Sequence, residues 1–479
     1  MSVEAIILAV YLVGCIGVGA LASRRAATSS EEYWVGGRRT GPVINAVAIM
    51  ATLASGGSIV GVMGYAYGLG IPATLALFAG AVVGFPLASV LVAAPLRRFG
   101  RFTITDFLAW RFPHAVVRTL VPLLIVASFT AYIVAQLKAA GVTAEVLLGV
   151  EYNQAIIVST IVFVAYVSFG GMHAITWTDV VQGAIMLVLV LGTAAWLAGT
   201  EGLDVLPRAA EAMPELGQAS GFGRSSMLGS FLLWATAIPV VPHVVMRVYT
   251  ARDAHGAKLA LNLAMVGYSA IVLAAVFVIV PVGVLDAPAL EDPDRVFHMV
   301  VEQRLPPFAR GVAVAAVLAA VMSTTDALLL ACSSAIAHDL IASRRPPERP
   351  LSATQLARLN RGIVAAVGAV AAVLALWPPA LLTELYSAAI GVLSASLFVP
   401  LVAGVWWKRA STRGGVAAIV AGAVVYLLVQ LDPLGFDAPS FTAILFALPA
   451  SALGMIFGSL GGGEPDEALR AQVDGLHEG

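Results

Sequence analysis

Residues 51–61 read Ala51-Thr52-Leu53-Ala54-Ser55-Gly56-Gly57-Ser58-Ile59-Val60-Gly61, and residues 234–243 read Trp234-Ala235-Thr236-Ala237-Ile238-Pro239-Val240-Val241-Pro242-His243. Both interrupt long apolar segments. In the first, two adjacent glycines flanked by serines weaken a helix at its centre. In the second, two prolines three residues apart each remove a backbone donor and break the helix. Carbonyls freed at bilayer depth are tolerated only where they line a cavity or are buried against protein. Taken alone, the glycine stretch also reads as a small-residue packing face. The pairing of the breaks decides between these readings, because they lie at matching places in the second and seventh apolar segments, five apart. Two halves of five helices run in opposite senses, which is the pattern of an inverted-repeat transporter that binds its substrate at the breaks.

The composition agrees with a membrane setting. The 479 residues are 59% hydrophobic and 11% charged, with a mean hydropathy of +0.92. A soluble chain carries about 45–50% apolar and about 25% charged residues. Net charge is −1, so no basic surplus exists to hold nucleic acid. Cys15 and Cys332 lie in apolar runs and offer neither a disulfide framework nor metal-ligand spacing.

A spanning helix needs about 20 mostly apolar residues. Thirteen stretches qualify: 3–22, 43–69, 72–96, 116–149, 153–171, 174–200, 226–250, 257–285, 307–340, 357–376, 380–406, 414–431 and 440–459. The expected fold is therefore all-α and polytopic, with a membrane domain over 1–460 and a core repeat over about 43–406 that pairs spans 2–6 with spans 7–11. The tail 461–479, Gly-rich and then charged, is expected to be a short disordered cytoplasmic segment. The first stretch carries Glu4 instead of a basic leader and is followed by Arg24-Arg25, so it reads as a true span and not a cleaved signal. With the N-terminus outside, the loops on the inner side and the tail hold twenty Lys and Arg residues, against five in the opposite loops. That asymmetry predicts a multi-pass cell-membrane protein with its C-terminus in the cytoplasm.

Three intramembrane features carry chemistry. Asp179 follows Trp177-Thr178 in span 6; a carboxylate there is a functional candidate by default, the alternative being a helix-end cap near water. Span 9 contains Ala320-Val321-Met322-Ser323-Thr324-Thr325-Asp326. A hard cation such as sodium prefers oxygen ligands, although Ser and Thr in helices also bond back to the preceding turn. Asp326 reads equally as an ion ligand, a proton site or a structural partner. Lys138 in span 4 either snorkels to the surface or meets a buried negative charge, from a carboxylate side chain or an anionic substrate.

Several ordered motifs now resemble one family. They are Glu32-Tyr33-Trp34-Val35-Gly36-Gly37-Arg38, the pattern Ser55-x-x-Ser58-x-x-Gly61-x-x-Gly64, Gly170-Gly171, Trp177-Thr178-Asp179-Val180-Val181-Gln182, Pro242-His243-x-x-x-Arg247 and Ala320-Val321-Met322-Ser323-Thr324. From about residue 5 to 430 the chain resembles the sodium:solute symporters, which include proline, pantothenate, acetate and sugar carriers. The resemblance implies a leucine-transporter-like fold, with broken spans 2 and 7. It also implies sodium as the coupling ion, held by backbone carbonyls of Ala51, Ala54 and Ala320 with the hydroxyls of Ser323 and Thr324. Asp179 would be a second ion-linked position. Ser55, Gly56, Ser58, Lys138, Trp234 and His243 are the expected substrate contacts. The Pro242–Thr250 stretch looks nearest the acetate and monocarboxylate members, which with Lys138 points toward a small carboxylate.

The expected function is sodium-driven uptake of a small organic solute across the bilayer by alternating access. Proton coupling through Asp179 or Asp326, or another solute such as proline, pantothenate or a sugar, is the alternative; a transporter-like sensor is a remote one. No nucleophile elbow, HExxH or Walker loop supports an enzyme. The sequence points to no nucleic acid and to no obligatory protein partner.

Overall fold

The computed structural model describes residues 3–26, 30–346, 351–377, 382–433, 435 and 437–478. They form helices throughout. The ones that position the site are α1 (Val3–Ala26), α2 (Pro42–Leu53), α3 (Gly57–Leu69), α4 (Ile71–Phe99), α5 (Ile104–Arg111) and α6 (Ala115–Leu148). After them come α7 (152–170), α8 (Gly171–Glu201), α9 (Arg224–Ala237), α10 (Pro242–Thr250), α11 (Ala254–Asp286), α12 (Val296–Arg304) and α13 (Pro307–Arg344). The chain closes with α14 (Ala353–Ala375), α15 (Leu382–Trp406), α16 (Thr412–Leu431), α17 (Ala443–Leu460) and α18 (Glu467–Gly475). Each expected span coincides with one helix or one broken pair.

Among the described residues ten helical segments, α9 and α10 counted together as one, are long and apolar enough to cross a membrane, or eleven with α2 and α3, which meet at a 63° bend, taken as one broken span. Shorter apolar helices, Ile6–Val18 and Tyr152–Ala165, stand where spans 1 and 5 are expected. By length and hydropathy the count among the described residues is thus ten or eleven, short of thirteen. α7 and α8 are joined at Gly171, whose φ of 69° and ψ of 175° turn the chain sharply. Glycine reaches that conformation without the steric penalty of a Cβ.

α13 lies at the centre. Its residues from Ala313 to Ser333 are all buried, and it packs on α1, α6 and the joined α7–α8. Small residues allow close helix contacts around it. In the outer part of the bundle, a Cβ on Gly80 of α4 would meet the Phe231 carbonyl of α9 at 2.2 Å.

Both ends of the bundle are closed over the α2–α3 break. At one end the segment 293–304 acts as a cover. Asp294 is fully buried and accepts from Lys138 Nζ at 3.2 Å and from the Leu382 N–H at 3.2 Å. His298 bonds Thr143 Oγ1 at 2.8 Å. A Cβ on Gly64 would lie 2.8 Å from the Asp294 Cα, so α3 presses directly on this cover. Burial pushes the Asp294 carboxyl above its ordinary range, while Lys138 and the Leu382 N–H oppose that rise. At the other end, Thr40 N–H donates to Thr250 O and Arg252 N–H to Thr40 O, both at 3.2 Å. Asn45 Nδ2 donates to Arg247 O at 2.9 Å, and Arg97 Nε to Ala251 O.

Three expectations need correction. Residues 467–475 are an ordered helix instead of a disordered tail. Val473 and Leu476 are buried, Lys408 pairs with Asp474, and Trp110 Nε1 donates to Gln472. Leu469, Val473 and Leu476 repeat at helical spacing and give the charged segment one apolar face, which is enough to dock it. Arg247 and Arg111, counted from sequence among the twenty inner-side cations, are each 1% exposed. Arg111 caps the end of α15 by donating to Gly404 O and Trp407 O.

Lys138 does not snorkel; it is paired inside the protein. Removing one partner of a buried pair costs about 3–5 kcal/mol, whereas replacing both with apolar groups is often far milder. Lys138→Met should therefore lower the melting temperature of detergent-solubilised protein markedly, and Lys138→Met with Asp294→Leu should recover most of the loss. Equal melting of the single variant and the unaltered protein would show that the pair carries no such weight.

Candidate ion and solute site

The break between α2 and α3 is built by a change of hydrogen-bond partners. Ala54, with φ −73° and ψ 64°, leaves the helical path. Ser55 N–H then donates to Leu53 O at 2.8 Å, and Gly56 N–H to Gln136 Oε1 at 3.1 Å. In a continuous helix those two donors would serve the carbonyls of Ala51 and Thr52. The two carbonyls are met instead by α13. Ser323 Oγ donates to Ala51 O at 2.9 Å and to Ala320 O at 3.2 Å, and Thr324 Oγ1 donates to Thr52 O at 2.9 Å. Ala51, Thr52, Ala320, Ser323 and Thr324 are all buried.

Five neutral oxygens thus converge, three from carbonyls and two from hydroxyls. With the hydroxyl hydrogens turned outward, all five become acceptors, the donor set that suits a hard monovalent cation. The residues present fit sodium on this ground. The sequence-expected ligands Ala51, Ala320, Ser323 and Thr324 come together; Thr52, missed from sequence, supplies the carbonyl that meets Thr324, and Ala54 forms the turn itself.

The glycines of the break do not bend the chain, since Gly56 has helical angles (φ −52°, ψ −39°). They permit close approach. A Cβ on Gly56 would lie 2.6 Å from Val321 and 2.9 Å from Ala139, and one on Gly57 would lie 2.6 Å from the Tyr386 ring.

A second group surrounds the start of α3. Ser58 Oγ donates to Leu53 O at 2.8 Å, and Tyr132 OH donates to Ser55 Oγ at 3.4 Å. Tyr132 stacks on Tyr386 with ring centres 5.4 Å apart, and Trp234 stands edge-on to Tyr386 at 5.7 Å. Trp234 Nε1 donates to Ser387 Oγ at 3.3 Å. His243, which opens α10 after the 238–241 interruption, lies 6.4 Å from Tyr132 and 5.3 Å from Phe129. Both His243 nitrogens are buried without a hydrogen-bond partner among the described residues. Tyr132 thus stands between the two breaks. Of the expected substrate contacts, Ser55, Gly56, Ser58, Trp234 and His243 fall in or beside this group. Lys138 does not; it belongs to the cover at Asp294. Tyr132, Tyr386 and Ser387 were not singled out from sequence, because isolated Tyr and Ser in apolar helices carry no spacing signal.

A third group adjoins this oxygen cluster through Thr52. Asp179, fully buried, makes a close ion pair with Arg247 and accepts from Thr52 Oγ1 at 3.3 Å. Arg247 NH1 also donates to Thr176 Oγ1 at 2.6 Å. Asp326 on α13 is fully buried, and neither of its carboxylate oxygens has a hydrogen-bond partner among the described residues. Asp179 and Arg247 are the charged groups within its electrostatic reach. Two buried carboxylates thus neighbour one guanidinium, which pairs with Asp179. A cavity of about 210 Å³, lined by Glu32, Arg39, Thr40, His173 and Trp177 among others, reaches Thr176 from the end closed by Thr40.

Comparison with known proteins identifies the family and the fold. Residues 33–422 match the sodium:solute symporter family. The chain is 28% identical to the sodium/pantothenate symporter of Escherichia coli (strain K12), over 96% of this chain and 98% of that one. It is 29% identical to the osmoregulated proline transporter OpuE of Bacillus subtilis (strain 168), over 96% and 94%. In fold it resembles a Na+-coupled sialic acid symporter solved in a substrate-bound outward-open state, with a TM-score of 0.79 at 18% identity, over 98% and 99% of the two chains. MhsT in complex with L-phenylalanine shares the fold more distantly, with a TM-score of 0.57 at 15% identity, over 88% and 98%. The chain belongs to the sodium:solute symporter family: it is a membrane transporter and not an enzyme, and sodium is its coupling ion.

Proposed function

We propose that this protein takes up a small organic solute by sodium symport through alternating access, with the solute bound beside the α2–α3 break. The observation that carries the reading is the transfer of the Ala51 and Thr52 carbonyls from their own helix to Ser323 and Thr324. A cage of this kind joins a broken helix to the central one, so filling it changes how the two sit together.

The solute site is assigned to Ser55, Ser58, Tyr132, Trp234, His243 and Tyr386. Its walls are aromatic and its polar groups are neutral hydroxyls and an unpartnered imidazole. This favours a solute with an apolar body and a few hydrogen-bonding groups, in the size range of pantothenate or proline, the solutes named for the relatives. The case for a monocarboxylate rested on the Pro242–Thr250 stretch together with Lys138, and Lys138 is paired with Asp294. We further read the chain as thirteen spans with inverted repeats over spans 2–6 and 7–11, N-terminus outside, in the cell membrane, with α1 and α7 as the two short spans. The equal placing of the two breaks and the Lys and Arg asymmetry support this.

A second coupled cation has its own support. Asp179, Asp326 and Arg247 together are one positive charge short, and an unbalanced buried carboxylate is strongly disfavoured. A proton or a second sodium at Asp326 restores the balance.

Three measurements test these readings in proteoliposomes with a panel of labelled pantothenate, proline and monocarboxylates. Ser323→Ala and Thr324→Ala should each raise the sodium concentration for half-maximal uptake tenfold or more, about 1.4 kcal/mol of lost cation binding. Wild-type sodium activation in both variants would move the cation elsewhere. His243→Ala should raise the KM for whichever solute is transported at least fivefold, with sodium activation nearly unchanged; an unaltered KM removes His243 from the site. Asp326→Asn leaves Asp179 and Arg247 balanced, so one coupled cation should disappear. Either the sodium Hill coefficient falls by about one or the pH dependence of uptake flattens. If neither changes, Asp326 takes no part in coupling.

A further inference from the structure

At the end of the bundle opposite the Asp294 cover, Asp106 of α5 faces the last turns of α13. His338 Nε2 lies 3.1 Å from both Asp106 oxygens and 3.9 Å from Asp339 Oδ1. One ligand atom from each of the three residues falls within 4.8 Å of the other two. Thr103 Oγ1 fixes Asp339 by donating to Oδ1 at 2.9 Å, and the N–H groups of Phe102 and Thr103 hold Asp106 Oδ2 at 3.2 Å. The Asp339 side chain is only 2% exposed, yet its Oδ2 has no partner among the described residues. A cavity of about 280 Å³, lined by Arg101, Thr105, Asp106, Arg118, Asp339 and Ser343 among others, adjoins the cluster and gives it an opening.

A proton on His338 does not complete this group, because two carboxylates and one imidazolium still leave one negative charge. Arg101 and Arg118 line the adjoining cavity with Asp106 and Asp339, and among the described residues neither makes a hydrogen bond to either carboxylate. A divalent ion beside a neutral imidazole gives exact neutrality within the three residues. The imidazole nitrogen selects transition metals over magnesium or calcium, which take oxygen ligands. Bonds of about 2.0–2.2 Å to nitrogen and oxygen place tetrahedral ligands roughly 3.2–3.6 Å apart; the two spacings from His338 Nε2, 3.1 and 3.9 Å, bracket that range, and all three ligand atoms lie within 4.8 Å of one another. Second-sphere donors to both carboxylates are already in place, as metal sites require.

We propose that Asp106, His338 and Asp339 form a binding site for one divalent transition-metal ion of the zinc and manganese class, with a fourth position open to the adjoining cavity. The ion would tie α5 to the end of α13. Ser323 and Thr324 lie on that same helix, about 21–23 Å away at 1.5 Å per residue. A metal at this site therefore acts as a clamp on the helix that carries the sodium ligands, and its expected effect is slower transport.

The test is a titration of the purified full-length protein, free of any polyhistidine tag, with Co²⁺. The expected result is one equivalent bound with visible ligand-field absorption, displaced by Zn²⁺. His338→Gln and Asp339→Asn should each weaken binding at least tenfold, with His338→Gln retaining the wild-type melting temperature because its side chain is only partly buried. Micromolar Zn²⁺ on the face bearing the cluster should slow sodium-driven uptake severalfold in the wild type and not in His338→Gln. Absence of saturable one-to-one Co²⁺ binding by the wild type overturns the proposal whatever the variants do. Unchanged affinity in both variants overturns it equally. These results are independent of which solute is carried.

Discussion

Everything at the centre of this protein follows from two backbone carbonyls that lose their own amide donors. Once Ala54 departs from helical angles, Ala51 O and Thr52 O lie buried with no intrahelical partner. A carbonyl left unpaired in an apolar interior costs on the order of 1–3 kcal/mol, so some other group must come to them. Ser323 and Thr324 do so. The cost of the break is thereby converted into a specific junction between α2 and α13. The same oxygens are those assigned above to sodium, so under that proposal folding and ion binding would draw on a single set of atoms.

The second constraint is charge. Asp179, Arg247 and Asp326 are all at most 1% exposed. A close pair between Asp179 and Arg247 accounts for one negative charge and leaves the other. Asp326 follows Ser323 by three residues, so the two share a face of α13. The uncompensated carboxylate and the oxygen cage are therefore one turn apart on the same helix. A cation entering the cage and a cation reaching Asp326 cannot be energetically independent. That proximity gives a physical route for cooperative ion binding without any long-range pathway.

The architecture was legible in the sequence wherever it rested on a period or a breaker. Helix positions matched the apolar stretches closely, and the Pro239 and Pro242 interruption fell where it was read. The hydroxyl pair Ser323-Thr324 was found because a polar cluster in an apolar helix is conspicuous. What the sequence hid was pairing. Arg247, near the end of span 226–250, was counted among the inner-side cations, yet it neutralises Asp179 inside the bundle. Asp294 stood among acidic loop residues and gave no hint that it would be buried against Lys138. Gln136 and Tyr132 have no neighbours in sequence that betray their contact with the break. The docked helix Glu467–Gly475 was concealed by its charge, although Leu469, Val473 and Leu476 already mark an apolar face. Partners hundreds of residues apart leave no local trace, whereas periodicity does.

The two closures differ in kind, and this bears on how such a protein moves. The end covered by Asp294 is held by a buried ion pair and by a backbone donor at the start of α15. The opposite end is held chiefly by backbone hydrogen bonds around Thr40, Thr250 and Arg252. Opening the first exposes two charges that water can solvate, so its electrostatic cost is largely returned on hydration. Opening the second exposes amides that water satisfies just as well, but it also pulls on Asn45 and Arg247, and Arg247 is the partner of Asp179. Movement at that end is therefore tied directly to the charge balance around Asp326, while movement at the Asp294 end is not. An ion that settles the charge of the inner group would consequently bear first on the closure at Thr40, which is the asymmetry a symporter needs if release is to depend on what is bound.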